Sequence, residues 1–221
     1  PIFGITGDSI LQLKSPELTC YKYKDAIVRS KADYIIMHGQ VVWRKVESPV
    51  FTKNRPQDKG LFQFSSSNVV LQKVPEDVIK VKKAYHLCGV DSNVWSPFMI
   101  QRAAALFALV NFPKDILDDL TILVPDYQDA HLKQVVYDFV KVYLPDVQVL
   151  TIKDNDYVAC EELYAMDSTA TMIDDESYVS YIDMIIPAEV AKILDTYYVA
   201  KTRRETKPYR KLFLRRVGAY R

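Results

Sequence analysis

Apolar positions between Thr121 and Ile152 repeat first with the continuity of a buried strand and then with the period of a helix. Ile122, Leu123 and Val124 form an unbroken run closed by Pro125 and Asp126. Leu132, Val135, Val136, Phe139, Val140 and Tyr143 follow at offsets of three and four, which puts one apolar stripe on an α-helix. Pro145 stops that helix, because a proline disfavours helical backbone in the residue before it. Val147 to Ile152 then reads as a second strand. Strand, helix and strand in about thirty residues is the spacing of a right-handed βαβ crossover. The first strand is apolar throughout, as a parallel strand covered on both faces should be. The expected fold class is therefore α/β, an open sheet preceded by short N-terminal β-strands.

The flanking regions supply those strands. Ala26–Val28 is a short apolar run, and Tyr34–Met37 and Gln40–Trp43 flank His38-Gly39, the length of a two-residue hairpin loop. Residues 48–59 carry Pro49, Asn54-Arg55-Pro56 and Asp58-Lys59, and read as a loop. Phe62 to Leu71 and Val78 to Leu87 resume as strands. Ser96 fits an N-cap and Pro97 a first helical residue, ahead of an apolar helix through Phe98, Met99, Ala103, Leu106, Phe107 and Val110. Tyr181–Ile186 reads as a strand, Ala188–Val199 as a helix and Lys211–Leu214 as a last strand. Residues 1–75 are expected to be a strand-rich region packed on the core, and residues 76–221 a Rossmann-like α/β domain.

Composition narrows the class. With 221 residues, 49% of them hydrophobic, the chain can bury a sizeable core. The net charge of +1 gives no reason to expect a nucleic-acid partner, but it conceals an asymmetry. Asp154 to Ala191 holds ten acidic residues and no Lys or Arg, whereas Lys201 to Arg221 holds nine basic residues and one Glu. Cys20, Cys88 and Cys160 are too far apart for a metal motif or a disulfide framework. No apolar run approaches a membrane span. The expected location is cytoplasmic, or the lumen of the Golgi or ER if an upstream anchor has been removed.

Three places carry candidate chemistry. His86, Asp91 and Asn93 gather where the chain enters the helix after Pro97, and loops at such entrances are where α/β folds place reacting groups. The same residue types also serve as caps and turn formers. Asp154-Asn155-Asp156 after a strand has the Asp-x-Asp form that can hold a divalent cation against a diphosphate, and equally the form of a strand-ending turn. Arg215 and Arg216, with Arg221 beyond, end the last strand. A planar guanidinium there can fork onto phosphate oxygens, or the stretch can be a basic surface facing the acidic one.

Taken together these residues resemble the family 61 glycosyltransferases. The resemblance rests on the strands of Ala26–Trp43, the helix opening Asn93-Val94-Trp95-Ser96, the pair Leu163-Tyr164, and the closing Lys211-Leu212-Phe213-Leu214-Arg215-Arg216 with Arg221. It implies one half of a two-Rossmann (GT-B) architecture, with a second, donor-binding half to follow. It further implies an inverting, metal-independent transfer of sugar from a nucleotide sugar to a glycan or polysaccharide, with no cofactor beyond that donor. Arg216 would then bind the donor phosphates, with Arg215 and Arg221 assisting. Ser96 stands where the family has His, and Ile100 where it often has an acid. That leaves Asp91 and His86 as the catalytic candidates, and Asn93 and Ser96 on the acceptor side. The rivals are a metal-dependent (GT-A) transferase using Asp154 and Asp156, and a non-catalytic α/β interaction module.

Overall fold

The computed structural model describes residues 18–32, 34–43, 61–64, 69–89, 98–166, 171–172, 184–185 and 188–199. In chain order the strands are β1 (Cys20–Arg29), β2 (Tyr34–Met37), β3 (Gln40–Trp43), β4 (Leu61–Phe64), β5 (Val69–Leu71), β6 (Ile79–His86), β7 (Thr121–Pro125), β8 (Gln148–Ile152), β9 (Tyr157–Met166), β10 (Thr171–Met172) and β11 (Met184–Ile185). The helices are α1 (Ala104–Ala108), entered through π-type turns at Phe98–Ala103, then α2 (Lys114–Leu117), α3 (Ala130–Tyr143) and α4 (Ala188–Leu194), which runs on into Asp195–Val199.

Seven strands form one mixed sheet in the order β3-β2-β1-β9-β6-β7-β8. The four strands β9, β6, β7 and β8 are mutually parallel, and β1, β2 and β3 are added antiparallel along one side. The fold is thus α/β with a parallel centre, and strands from both sides of residue 75 share the sheet. The βαβ unit stands as expected: β7 and β8 are parallel, with α3 between them in sequence. Asp129 caps α3 by accepting from His131 N at 2.8 Å, and Leu144 N closes the last turn on Val140 O. The hairpin also stands. His38 (φ 49°) and Gly39 (φ 73°) both take left-handed backbone, the pair of positive angles that a tight two-residue loop needs.

The ten-residue strand β9 is the element the hydrophobic pattern does not announce. It lies between β1 and β6 at the centre of the sheet. Its alternation fails at Glu161-Glu162: Val158 and Cys160 pack in one cluster, and so do Leu163 and Ala165. The neighbouring strands break at the same level. Val81 and Ala84 share that cluster across Lys82, and Tyr23 and Ala26 share it across Asp25, whose φ is 52°. In an unbroken strand residues three apart point to opposite faces, so the backbone turns over along a line through Asp25, Glu161 and Lys82.

The connection from β8 to β9 shows what this line accomplishes. Ile152 pairs with Pro125, Thr121 with Ala84, and Ile79 with Val158. Followed through these registers, Ile152 stands about 30 Å along the strands from Val158 in a flat sheet. Six residue steps reach at most about 20 Å, and Asp156 N→Lys153 O (3.0 Å) tightens the link into a turn. The sheet is therefore folded over on itself. Its lower part, with Ala26, Val28, Ile35, Val158 and Cys160, closes on Ala84, Cys88, Leu123 and Ile152 of the upper part.

The opposite face carries the helices. Tyr85, Ile122, Val124 and Tyr164 of the sheet pack with Phe98, Leu106, Phe107, Leu132, Val136 and Phe139. Tyr85 donates its hydroxyl to Ala105 O at 2.8 Å, pinning α1 to β6. Ring contacts among Phe107, Phe139, Tyr143 and Tyr197 tie α1, α3 and the residues after α4 together, the closest being Phe107–Phe139 at 4.4 Å between centroids. Strand β7 is covered on both faces, as its continuous apolar run requires.

Candidate functional site

Beyond the carboxyl ends of β6 and β7 two polar groupings lie on either side of the segment Asp126-Tyr127-Gln128. The first is buried. His86 ends β6 at 1% exposure, and the chain continues through buried Leu87, Cys88 and Gly89. The register of β6 on β7 extends this far, with Leu87 N→Leu123 O at 3.0 Å and the Cys88 thiol donating to the same carbonyl at 3.6 Å. Tyr127 turns inward, its ring edge-on to Phe98 at 5.7 Å. Its hydroxyl is buried and has no hydrogen-bond partner among the described residues. Burial holds the phenol well above its ordinary range and the nearby Cys88 adds to this, while the Arg102 guanidinium pulls the other way. Arg102 itself is only 4% exposed and sits in the π-type turns that open α1. Thiol, phenol and guanidinium thus lie together at one end of the parallel strands, where open α/β sheets hold ligands, and His86 is buried at the end of the neighbouring strand.

The chain leaves this grouping at Gly89 and re-enters it at Phe98. Between them lie Asp91, Asn93 and Ser96, which fall outside the described residues, as do Arg215, Arg216 and Arg221. Of the site residues drawn from the sequence, the structure describes His86 and the acidic turn.

The second grouping is an open cleft of about 390 Å³ lined by Asp126, Gln128, Lys153, Asp154, Asn155 and Asp156. Its wall is the β8–β9 turn, and the buried Arg29 shapes that turn. Arg29 donates Nε to Asp154 O (3.2 Å), Nη2 to Asn155 Oδ1 (3.3 Å), and Nη1 to Gln72 Oε1 (2.8 Å) and the Tyr157 hydroxyl (3.2 Å). Lys31 pairs with the Asp154 carboxylate at 2.7 Å, and Asp156 Oδ2 accepts from Lys153 N at 3.3 Å. Both carboxylates of the Asp-x-Asp pattern are engaged in building the turn. Among the described residues, no three His, Cys, Asp or Glu side chains converge as a metal-binding set.

Arg102, Tyr127, Arg29, Asp126 and Gln128 are absent from the sequence-derived candidates. Arg102 has a visible signal, an arginine within the otherwise apolar stretch Phe98–Val110. The others have none, because a tyrosine after a strand and an arginine at the end of another read as ordinary surface residues until the sheet folds over.

Comparison with known protein families, with curated protein sequences and with solved structures returned no match. No described helix is long and apolar enough to cross a membrane.

Proposed function

We propose that this chain is the acceptor-side, Rossmann-like half of a two-domain (GT-B) glycosyltransferase that uses a nucleotide sugar. One observation carries the reading: His86 ends β6 just before the segment holding Asp91, Asn93 and Ser96, Arg102 follows that segment, and Tyr127, beyond the end of β7, is buried near Arg102. That is the place in an open α/β sheet from which a ligand is reached. The resemblance of the Asn93–Ser96 and Lys211–Arg221 stretches to the family 61 enzymes adds the reaction class.

In this reading an acceptor hydroxyl attacks the anomeric carbon, and the bond to the nucleoside diphosphate breaks with its electron pair leaving on the phosphate oxygen. Asp91 or His86 takes the hydroxyl proton. Arg215, Arg216 and Arg221 hold the departing diphosphate, and a permanently charged planar fork suits two of its oxygens. The transfer inverts the anomeric centre and uses no metal. The engagement of Asp154 by Lys31 and of Asp156 by the turn backbone weighs against the rival in which these two residues hold a cation.

A thermal-shift series with nucleoside diphosphates and nucleotide sugars on the full-length protein tests the class. Stabilisation that survives EDTA supports it, and activity lost on chelation and restored by Mn²⁺ supports the metal-dependent rival. If no nucleotide stabilises the protein, the chain is an interaction module whose basic Lys201–Arg221 stretch docks on an acidic partner. Calorimetry on Arg216→Ala and Arg216→Lys refines the assignment: Ala should weaken donor binding about 10- to 150-fold, and Lys should recover only part of the loss.

A further inference from the structure

We infer that the cleft between Asp126-Gln128 and the Lys153–Asp156 turn is a carbohydrate subsite, which binds the hydroxyls of the acceptor sugar; this rests on the glycosyltransferase reading above. With Asp154 and Asp156 committed to the turn, the groups left facing the cleft are the Asp126 carboxylate, the Gln128 amide, the Lys153 ammonium and the Asn155 amide nitrogen. Among the described residues the ion pairs are Lys22–Glu162 and Lys31–Asp154, and Lys153 contributes only its backbone N–H to the turn, so the side chains of Asp126, Gln128 and Lys153 are left to the cleft. The set mixes one strong acceptor, two amides and one strong donor in the lining of one cleft. A simple anion would meet the unengaged Asp126 carboxylate, and a bare cation would meet the Lys153 ammonium, with Asp154 already paired to Lys31. Adjacent hydroxyls of a sugar, each both donor and acceptor, match the mixture group by group.

The cleft is also built to keep its shape. Arg29, 3% exposed, spends its guanidinium on the turn backbone, the Asn155 side chain and two side chains behind them. Holding Asn155 Oδ1 directs the remaining Asn155 amide N–H groups away from Arg29. Asp126 and Gln128 flank Tyr127, whose ring faces the buried grouping with Arg102. Asp126 and Gln128 are thus joined through one residue, Tyr127, to the buried grouping with Arg102.

The test is ligand-observed NMR on the full-length protein with methyl glycosides of glucose, galactose, mannose and xylose at millimolar concentration. Wild type is compared with Asp126→Asn and Gln128→Ala, two exposed positions, and thermal unfolding of each variant confirms folding. At least one glycoside should bind, and Asp126→Asn should weaken it about tenfold or more, because a hydrogen bond to a charged acceptor is lost. Absence of binding for all four glycosides, or equal binding by wild type and both variants, overturns the subsite. Binding that disappears with EDTA also overturns it, since the carboxylates would then be holding a cation. Nucleoside diphosphate stabilisation is read on the same samples. If it persists while glycoside binding fails, the subsite is wrong and the enzyme class stands. If glycosides bind as expected and no nucleotide does, the acceptor assignment falls with the enzyme class.

Discussion

The Nε of Arg29 donates to the backbone carbonyl of Asp154 at 3.2 Å, joining the end of β1 to a turn 125 residues later in the chain. With Lys31–Asp154 beside it and the Arg29 guanidinium 5.1 Å from the centre of the Tyr157 ring, this contact fastens the folded-over part of the sheet to the β8–β9 turn. Arg29→Ala should therefore destabilise the protein by about 3 kcal/mol, removing a buried guanidinium and its bonds to the Asp154 carbonyl and the buried Tyr157 hydroxyl. Arg29→Lys should recover less than half, since one ammonium cannot reach the same divergent acceptors. Urea denaturation of the three proteins measures this; equal midpoints for wild type and Arg29→Ala would remove Arg29 from its structural role.

Asp25 marks the line along which β1, β9 and β6 turn over, and its φ of 52° is a backbone state that costs most residues about 1–2 kcal/mol. Asp25→Gly should leave stability unchanged or raise it by up to about 1 kcal/mol, while the β-branched Asp25→Val should lower it by about 2 kcal/mol. The same two substitutions at Lys24, inside the regular part of the ladder, should show the reverse preference. Thermal unfolding of the four variants decides the point.

Phe139 touches Phe107, Tyr143 and Tyr197, and so holds α1, α3 and the residues after α4 in one layer. Phe139→Ala should cost about 3–5 kcal/mol. Tyr197→Ala removes contacts at the edge of the same group and should cost less. Urea denaturation of the two variants reads both effects.

Cys160 gives a pH signature. Burial pushes its thiol from 9.0 up to about 12, so the folded chain keeps the proton over a range where the unfolded chain releases it. The unfolded state then binds fewer protons, and stability falls as pH rises from about 9 towards 12, by up to about 1.4 kcal/mol per pH unit from this group. Below pH 9 the contribution is fully present. Relative to Cys160→Ala, wild type should lose about 1 kcal/mol between pH 7.5 and pH 10 in urea denaturation. A constant difference between the two proteins would show that the thiol is not desolvated in the native state.

Much of the fold can be read from local pattern. The apolar run Ile122–Val124, the helical stripe from Leu132 to Tyr143 and the turn pair His38-Gly39 each satisfy a short-range rule, and each stands in the structure at its expected place. Local rules suffice there because the deciding interactions, backbone hydrogen bonds and one buried stripe, involve residues a few positions apart. The candidate site was legible only in part. His86 stands out in the sequence beside Asp91 and Asn93 at the helix entrance, and the structure adds that it is buried at the end of β6. The sequence offers the Asp154 and Asp156 carboxylates as a pair, and the structure engages both in a turn.

What no local rule contains is the position of β9. Its Glu161-Glu162 pair breaks the alternation that announces a strand, because those residues sit on the fold line, where side chains on successive residues do not alternate between two fixed faces. That β9 enters between β1 and β6, that the sheet closes on itself, and that Arg29 meets Asp154 are consequences of ladder registers between segments tens to more than a hundred residues apart. Burial of Arg102 and Tyr127 follows from the same assembly. The amino-acid sequence determines the elements through short-range hydrogen bonding and hydrophobic period; which elements meet, and so which polar groups share a cleft, is decided only when the whole apolar surface is buried at once.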